Sequence, residues 1–265
     1  SVAAFPTLSY LYSKSDHEGF NLQLLTALRH IIFWSVPVIG LVVVLRAQIV
    51  RVLLGSGEFD WGDTRLTAAV LAIFVISLFA QAILLLLIRA FYAGGRTKLP
   101  LLVALLGGGA SVAFAYVLKN IYVSNFNFQI LLKDVFRLND VPGSEILVLA
   151  LAFIAGQFIQ LVLLLAISRR TFKVSYRPLI KLTTQAILAS FAGAISSYVT
   201  LSFIVDGVNK ETFLGIMLQG LTAFIMGLIA VVLTYLAFNS PELKEIYRSF
   251  HTKIFKTDII APQDN

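Results

Sequence analysis

An all-α polytopic transmembrane bundle is the fold class the sequence predicts, and three observations predict it. Mean hydropathy is +0.87, with 58% hydrophobic and 13% charged residues, well below the roughly 25% charge of soluble domains. Apolar runs are continuous over about twenty residues, where barrel strands would alternate over about ten. The clearest run, 66–88, carries no charged side chain, and at about 1.5 Å per residue it crosses a hydrocarbon layer of roughly 30 Å.

Taken in order, the chain opens on SVAAFPTLS at 1–9. It lacks the basic start of a signal peptide and reads as the end of a preceding membrane helix, which makes the chain part of a longer protein. The stretch 20–28 is amphipathic, is expected to form a short helix packed on the membrane surface, and leads into the first span, 31–54, with Arg29 at the boundary. Pro37 must leave one backbone hydrogen bond unmade in that span, either as a structural bend or as a gating hinge. The second span, 66–88, follows an acidic turn in which Asp63 takes the place of an N-cap, its carboxylate accepting from first-turn amides.

The third span, 99–118, begins at Pro100 and contains the run Gly107, Gly108, Gly109. In 128–137 the apolar residues Phe128, Leu131, Leu132, Val135 and Phe136 share one helical face, so a short helix on the membrane surface is expected. The fourth span is 146–167; Gln157 and Gln160 share one face of it and are expected to bond neighbouring helices. The last two spans are 182–205 and 213–238. Ala189, Gly193 and Ser197 recur every four residues, as do Ala223 and Gly227, a spacing that lets helix backbones approach closely. Beyond them, 239–265 reads as a basic amphipathic tail, with Ser240 as N-cap and Pro241 as first helical residue.

Fourteen Lys and Arg fall in 10–30, 89–98, 169–181 and 239–265, against seven in the opposite connections. The first set is therefore cytoplasmic, and the C-terminus with it. The net charge of +7 then reflects topology and anionic lipid headgroups, with no need of nucleic acid.

Composition also removes whole chemistries. There is no cysteine, hence no disulfide, thiolate metal site or Cys nucleophile. His17, His30 and His251 have no metal-ligand spacing, and the glycine-rich phosphate loop of nucleotide-driven pumps is missing. The close acids Glu58, Asp60 and Asp63 sit outside the membrane, where they could not serve a diphosphate-dependent transferase. No enzyme and no cofactor is expected. Polar groups inside spans are then the informative ones. Arg89 ends the second span; a guanidinium at mid-membrane costs about 2.5–3.5 kcal/mol on insertion scales. It either snorkels to lipid phosphate or faces a cavity and meets an anionic substrate, for which its planar fork is suited. Gln81 lies eight residues earlier, about 80° round the helix.

These residues also carry a resemblance. GEFDWGDTRLTAAVL at 57–71 resembles a phrase of the MurJ (MviN) lipid II flippase family, with Gly57, Phe59, Asp63, Thr64, Thr67, Ala68 and Leu71 in register. RAFYA at 89–93 and Pro100 follow at the family's distance, while FPTLS at 5–9 and QIVRVLLGSG at 48–57 resemble its neighbouring helix ends. The likeness is specific over roughly the first hundred residues; further on it rests on span number and loop charge. Arg96 stands where the family usually has an acid, and the third span is apolar around Ala113, where relatives often place an Asn.

The resemblance implies helices nine to fourteen of a fourteen-helix protein of the multidrug/oligosaccharidyl-lipid/polysaccharide exporter superfamily. Residues 10–168 would belong to its second lobe and 169–238 would be the two C-terminal helices, lining a groove for a lipid tail. The implied activity is alternating-access export of lipid II, or a similar polyprenyl-diphosphate glycan, across the bacterial inner membrane. Implied partners are that cargo, membrane lipids and the N-terminal half. Arg89, Gln81 and Arg29 are then candidate substrate contacts, and Asp63, Thr64, Pro37 and Pro100 candidate structural or gating residues. The alternatives are an exporter of another glycan or a drug, and a membrane scaffold that does not transport.

Overall fold

The computed structural model of the chain describes residues 4–55, 59–204 and 212–244. Among these residues there are eight helices and no strand: α1 (Ala4–Ser13), α2 (His17–Leu54), α3 (Trp61–Ala93), α4 (Lys98–Ser124), α5 (Phe126–Phe136), α6 (Ile146–Phe172), α7 (Arg177–Ile204) and α8 (Phe213–Ala237). Six of them, α2, α3, α4, α6, α7 and α8, are long and apolar enough to cross a membrane. The chain is an all-α, multi-pass membrane protein.

The helices form a row. α4 packs on α6, α6 on α3, α3 on α2, and α2 on the paired α7 and α8, while α1 lies against α2 and α3. One end of the row holds an aromatic cluster in which Phe172 meets Tyr12, Phe20 and Phe91, and an ion pair between Arg29 and Glu242. The connections α1–α2, α3–α4, α6–α7 and the segment after α8 therefore gather there. At the other end Tyr122 bonds Ser144 and Arg65 bonds Asp140, beside a smaller core of Ala69, Leu132, Leu138 and Leu147. This is the up-and-down course that loop charge predicts.

Two local expectations need correcting. The amphipathic stretch 20–28 is no separate surface helix: α2 runs unbroken for 38 residues, and Phe20, Leu24 and Leu28 are buried in the main core. Their four-residue spacing puts them on one stripe, which α1, α3 and Phe172 cover. The N-cap of α3 is Asp60, not Asp63. Asp60 Oδ1 accepts from Asp63 N–H (2.8 Å) and Asp63 Oδ2 accepts from Asp60 N–H (3.3 Å), a reciprocal capping box that seats Asp63 at the third helical position.

Small residues set the close helix contacts. Ser197 Oγ donates to Ala223 O at 2.9 Å, and a Cβ on Gly193 would lie 2.5 Å from Val231 and 3.1 Å from Gly227 O. The α7–α8 seam thus uses the small residues that the four-residue spacing singles out. Of the three glycines in α4 only Gly107 faces a neighbour, with Gln160 Cβ at 2.8 Å and Gly156 O at 3.2 Å from a Cβ there, whereas Gly108 and Gly109 face open space. Gln160 is buried at that seam. α5 exposes Leu131 and Val135 and buries Leu132. The predicted tail beyond Lys244 lies outside the described residues.

Candidate functional site

The open face of α3 carries the polar groups singled out in the sequence. Its inner stripes, including Ala69, Ile73, Ala80, Leu84, Leu87 and Phe91, are buried against the neighbouring helices. The remaining side exposes Phe74, Leu78, Leu85 and Tyr92, and Gln81 and Arg89 fall on this side, each half-buried. Gln81 Nε2 donates to Ser77 Oγ at 2.9 Å, and Ser77 Oγ donates to Phe74 O at 2.7 Å. Arg89 has no ion pair among the described residues, and its Nη1 is buried with no hydrogen-bond acceptor. A guanidinium presents five N–H donors and no acceptor, and an unmet buried donor costs about 1–3 kcal/mol, more when charged. Any acceptor oxygen relieves it, and a charged one forms the strongest bond.

Arg29 is engaged differently. Its Nε donates to Glu242 Oε1 at 2.9 Å and Nη2 lies 2.7 Å from the same oxygen. Glu242 Oε2 accepts from Ser240 Oγ at 2.7 Å. Burial pushes the Glu242 carboxyl up, but the bonds from Ser240, its own backbone and Arg29, with the charge of Arg29, bring it below the ordinary value. The pair ties α2 to the turn after α8, so an anion reaching Arg29 would compete with a buried carboxylate.

Pro37 lies in the unbroken α2. It has no N–H to give to the carbonyl four residues back, that of Phe33. Tyr235 of α8 supplies the missing donor: its hydroxyl bonds Phe33 O at 3.0 Å, and its ring stacks on Phe33 at 4.3 Å between centroids. One residue before the proline, Val36 O accepts from Ser190 Oγ of α7 at 3.0 Å. A Cβ at Gly40 would collide with Ser190 Oγ and lie 3.0 Å from Ser190 O, so α7 approaches α2 where only glycine fits. Tyr235, Ser190 and Gly40 escape sequence reasoning; the one signal was that Phe33 O must need a donor.

Thr64 is buried beneath the α3 cap, donating to Asp60 O at 2.9 Å, while Arg51 Nη1 donates to Phe59 O at 3.1 Å and reaches Thr64 Oγ1 at 3.5 Å. Asp63 and Thr64 thus fasten the α2–α3 connection. Pro100 is buried in the first turn of α4, where its missing N–H would have had no helical partner. Asp63 and Thr64 lie at the start of α3 and Pro100 at the start of α4. No group of acids and histidines that could hold a metal ion occurs among the described residues.

A family model described as lipid II flippase MurJ matches residues 1–126. The lipid II flippase MurJ of Thermosipho africanus is 23% identical over 237 residues, 89% of this chain and 41% of that protein. The probable lipid II flippase MurJ of Bdellovibrio bacteriovorus is 29% identical over 117 residues, 44% of this chain and 22% of that protein. The chain spans less than half the length of these relatives. The family match takes in Arg89, Gln81, Pro37, Asp63, Thr64 and Pro100 and stops at the start of α5.

Proposed function

We propose that this chain, whose first 126 residues match the lipid II flippase MurJ family model, supplies helices nine to fourteen of a lipid II flippase. The whole protein carries the lipid-linked peptidoglycan precursor, or a closely similar polyprenyl-diphosphate glycan, across the bacterial inner membrane by alternating access. The observation that carries this reading is Arg89: a half-buried guanidinium whose Nη1 is an unmet buried donor, on the side of α3 that exposes Phe74, Leu78, Leu85 and Tyr92.

A diphosphate offers several oxygens to a planar fork, and in a low-dielectric passage such a bond is stronger than in water. Gln81 stands two helical turns from Arg89 on the same open side and can hydrogen-bond the sugar or the second phosphate. Arg29 gives a further contact only when it leaves Glu242. Pro37 acts as the joint of α2 with α7 and α8, so these three helices move together when the passage changes access. Asp63, Thr64 and Pro100 hold the ends of α3 and α4 in register. The excess of Lys and Arg at the Arg29–Glu242 end of the row supports a cytoplasmic position for that end and for the C-terminus.

The test is complementation of a flippase-depleted strain by the full-length protein carrying Arg89→Ala, with lipid II export measured directly. Export falls at least tenfold while the protein stays at its normal level in the membrane, and Arg89→Lys restores part of it, since the charge survives without the fork. Normal growth and export with Arg89→Ala would remove Arg89 from the mechanism. Loss of both export and membrane level would make its role one of folding.

A further inference from the structure

The turn between α3 and α4 and the turn between α6 and α7 lie together at one end of the row. A Cβ on Gly94 would sit 3.1 Å from the Phe172 ring, Phe91 and Phe172 are 5.0 Å apart between centroids, and Asn21 Nδ2 holds Phe172 O at 3.0 Å. The two turns are therefore packed against each other. Arg96 and Lys98 lie on one, Arg169, Arg170, Lys173 and Arg177 on the other, all exposed. Neither 89–98 nor 169–181 contains an acid, and none of these cations is in an ion pair among the described residues. The described acids at this end are engaged or apart: Asp16 caps α2 through Gly19 N–H, Glu242 is taken by Arg29, and Glu18 is in the first turn of α2.

Apolar surface begins directly beside this basic collar. Leu101 and Leu102 of α4, Val162 of α6 and Ile180 of α7 are all more than half exposed. α6 and α7 part at their turn, α6 toward α3 and α4, α7 toward α2 and α8. We propose that the collar is a binding site for an anionic phospholipid, its phosphate held by Arg96, Arg170 and Lys173 and its acyl chains lying on the apolar flanks of α4, α6 and α7. Exposed cations with no ion pair among the described residues, set against exposed hydrocarbon, match a charged head with a tail; a free phosphate would use only half of this chemistry. Arg96 lies beyond the end of α3 that carries Arg89, and the occupant is a resident lipid whether or not the cargo reading holds.

The intact protein in phosphatidylcholine nanodiscs with rising fractions of phosphatidylglycerol is examined by native mass spectrometry, which counts the lipids retained. The variant Arg96→Gln/Arg170→Gln/Lys173→Gln loses the preference for phosphatidylglycerol by about tenfold or more. A charge-matched control at the other end of the row, Lys119→Gln/Lys133→Gln/Arg137→Gln, keeps it. Equal loss in both, or in neither, overturns the site, because charge would then act diffusely. Displacement of phosphatidylglycerol by millimolar inorganic phosphate overturns the lipid assignment in favour of a phosphate pocket. In the unaltered protein the preference weakens as ionic strength rises; a preference that ignores salt also overturns the proposal.

Discussion

Pro37 takes one donor out of the middle of α2, and Tyr235 returns it from α8 at a sequence separation of 202 residues. Removing the hydroxyl with Tyr235→Phe leaves Phe33 O unmet in an apolar setting, a loss of about 1–2 kcal/mol. Pro37→Ala restores an N–H that can pair with Phe33 O within the helix, so Tyr235→Phe should cost markedly less in that background. A double-mutant cycle on detergent unfolding measures the coupling; equal costs in the two backgrounds would mean that the hydroxyl does not serve the proline gap. The Arg29–Glu242 pair adds a pH dependence. The folded carboxyl of Glu242 is held below its ordinary value of 4.5, so its stabilisation is full above that value and is lost as pH falls through the lowered one. The thermal stability difference between the unaltered protein and Glu242→Gln should hold near neutrality and shrink as the pH falls below that ordinary value. A difference that does not change with pH would show the carboxylate charge to be idle. From the sequence, Pro37 announced a missing bond and Arg29 a charge at a boundary. Neither partner was visible, because both lie about two hundred residues away and no local pattern links them.

At the scale of helices, hydrophobic run length located all six spans, and four-residue spacing of small side chains located the α7–α8 seam. A glycine triplet was less informative: three successive residues sweep about 200° of a helix, so the sequence could not say which of them meets a partner. The contact is made by Gly107 against Gly156, where a Cβ on Gly156 would lie 2.5 Å from Gly107 O and collide with Ser111 Oγ. Gly156→Ala should therefore push α4 from α6 and destabilise the protein by about 1–3 kcal/mol. Gly108→Ala and Gly109→Ala, which meet nothing within 4 Å, should instead stabilise by up to about 1 kcal/mol each through helix propensity. Unfolding of the three variants in one detergent decides it. A loss at Gly108 or Gly109 as large as that at Gly156 would reveal another part of the whole protein packed on that face. The same open side of α4, and that of α3 bearing Arg89, is where sequence reading was weakest. An exposed apolar helix face in a membrane protein looks alike whether lipid, cargo or protein covers it.

For the molecule as a whole, alternating direction followed from span number and loop charge, while the row from α4 through α6, α3 and α2 to the α7–α8 pair did not. Which neighbours a membrane helix takes is decided by shape and small-residue contacts, not by hydropathy, since every flank is apolar. The direction is open to a strict test, because the 265 residues contain no cysteine. Single cysteines can be placed at Thr97 and Ser175 in the basic turns, and at Asn120 and Asn139 toward the other end, all four exposed. In a full-length background freed of any other cysteine, a membrane-impermeant maleimide added to spheroplasts should label Asn120→Cys and Asn139→Cys. Thr97→Cys and Ser175→Cys should react only after the membrane is opened. The reverse pattern would invert the orientation and remove the cytoplasmic placement of the lipid collar. Labelling of all four from one side would break the up-and-down course itself, and with it the argument that Arg89 faces a passage between two compartments.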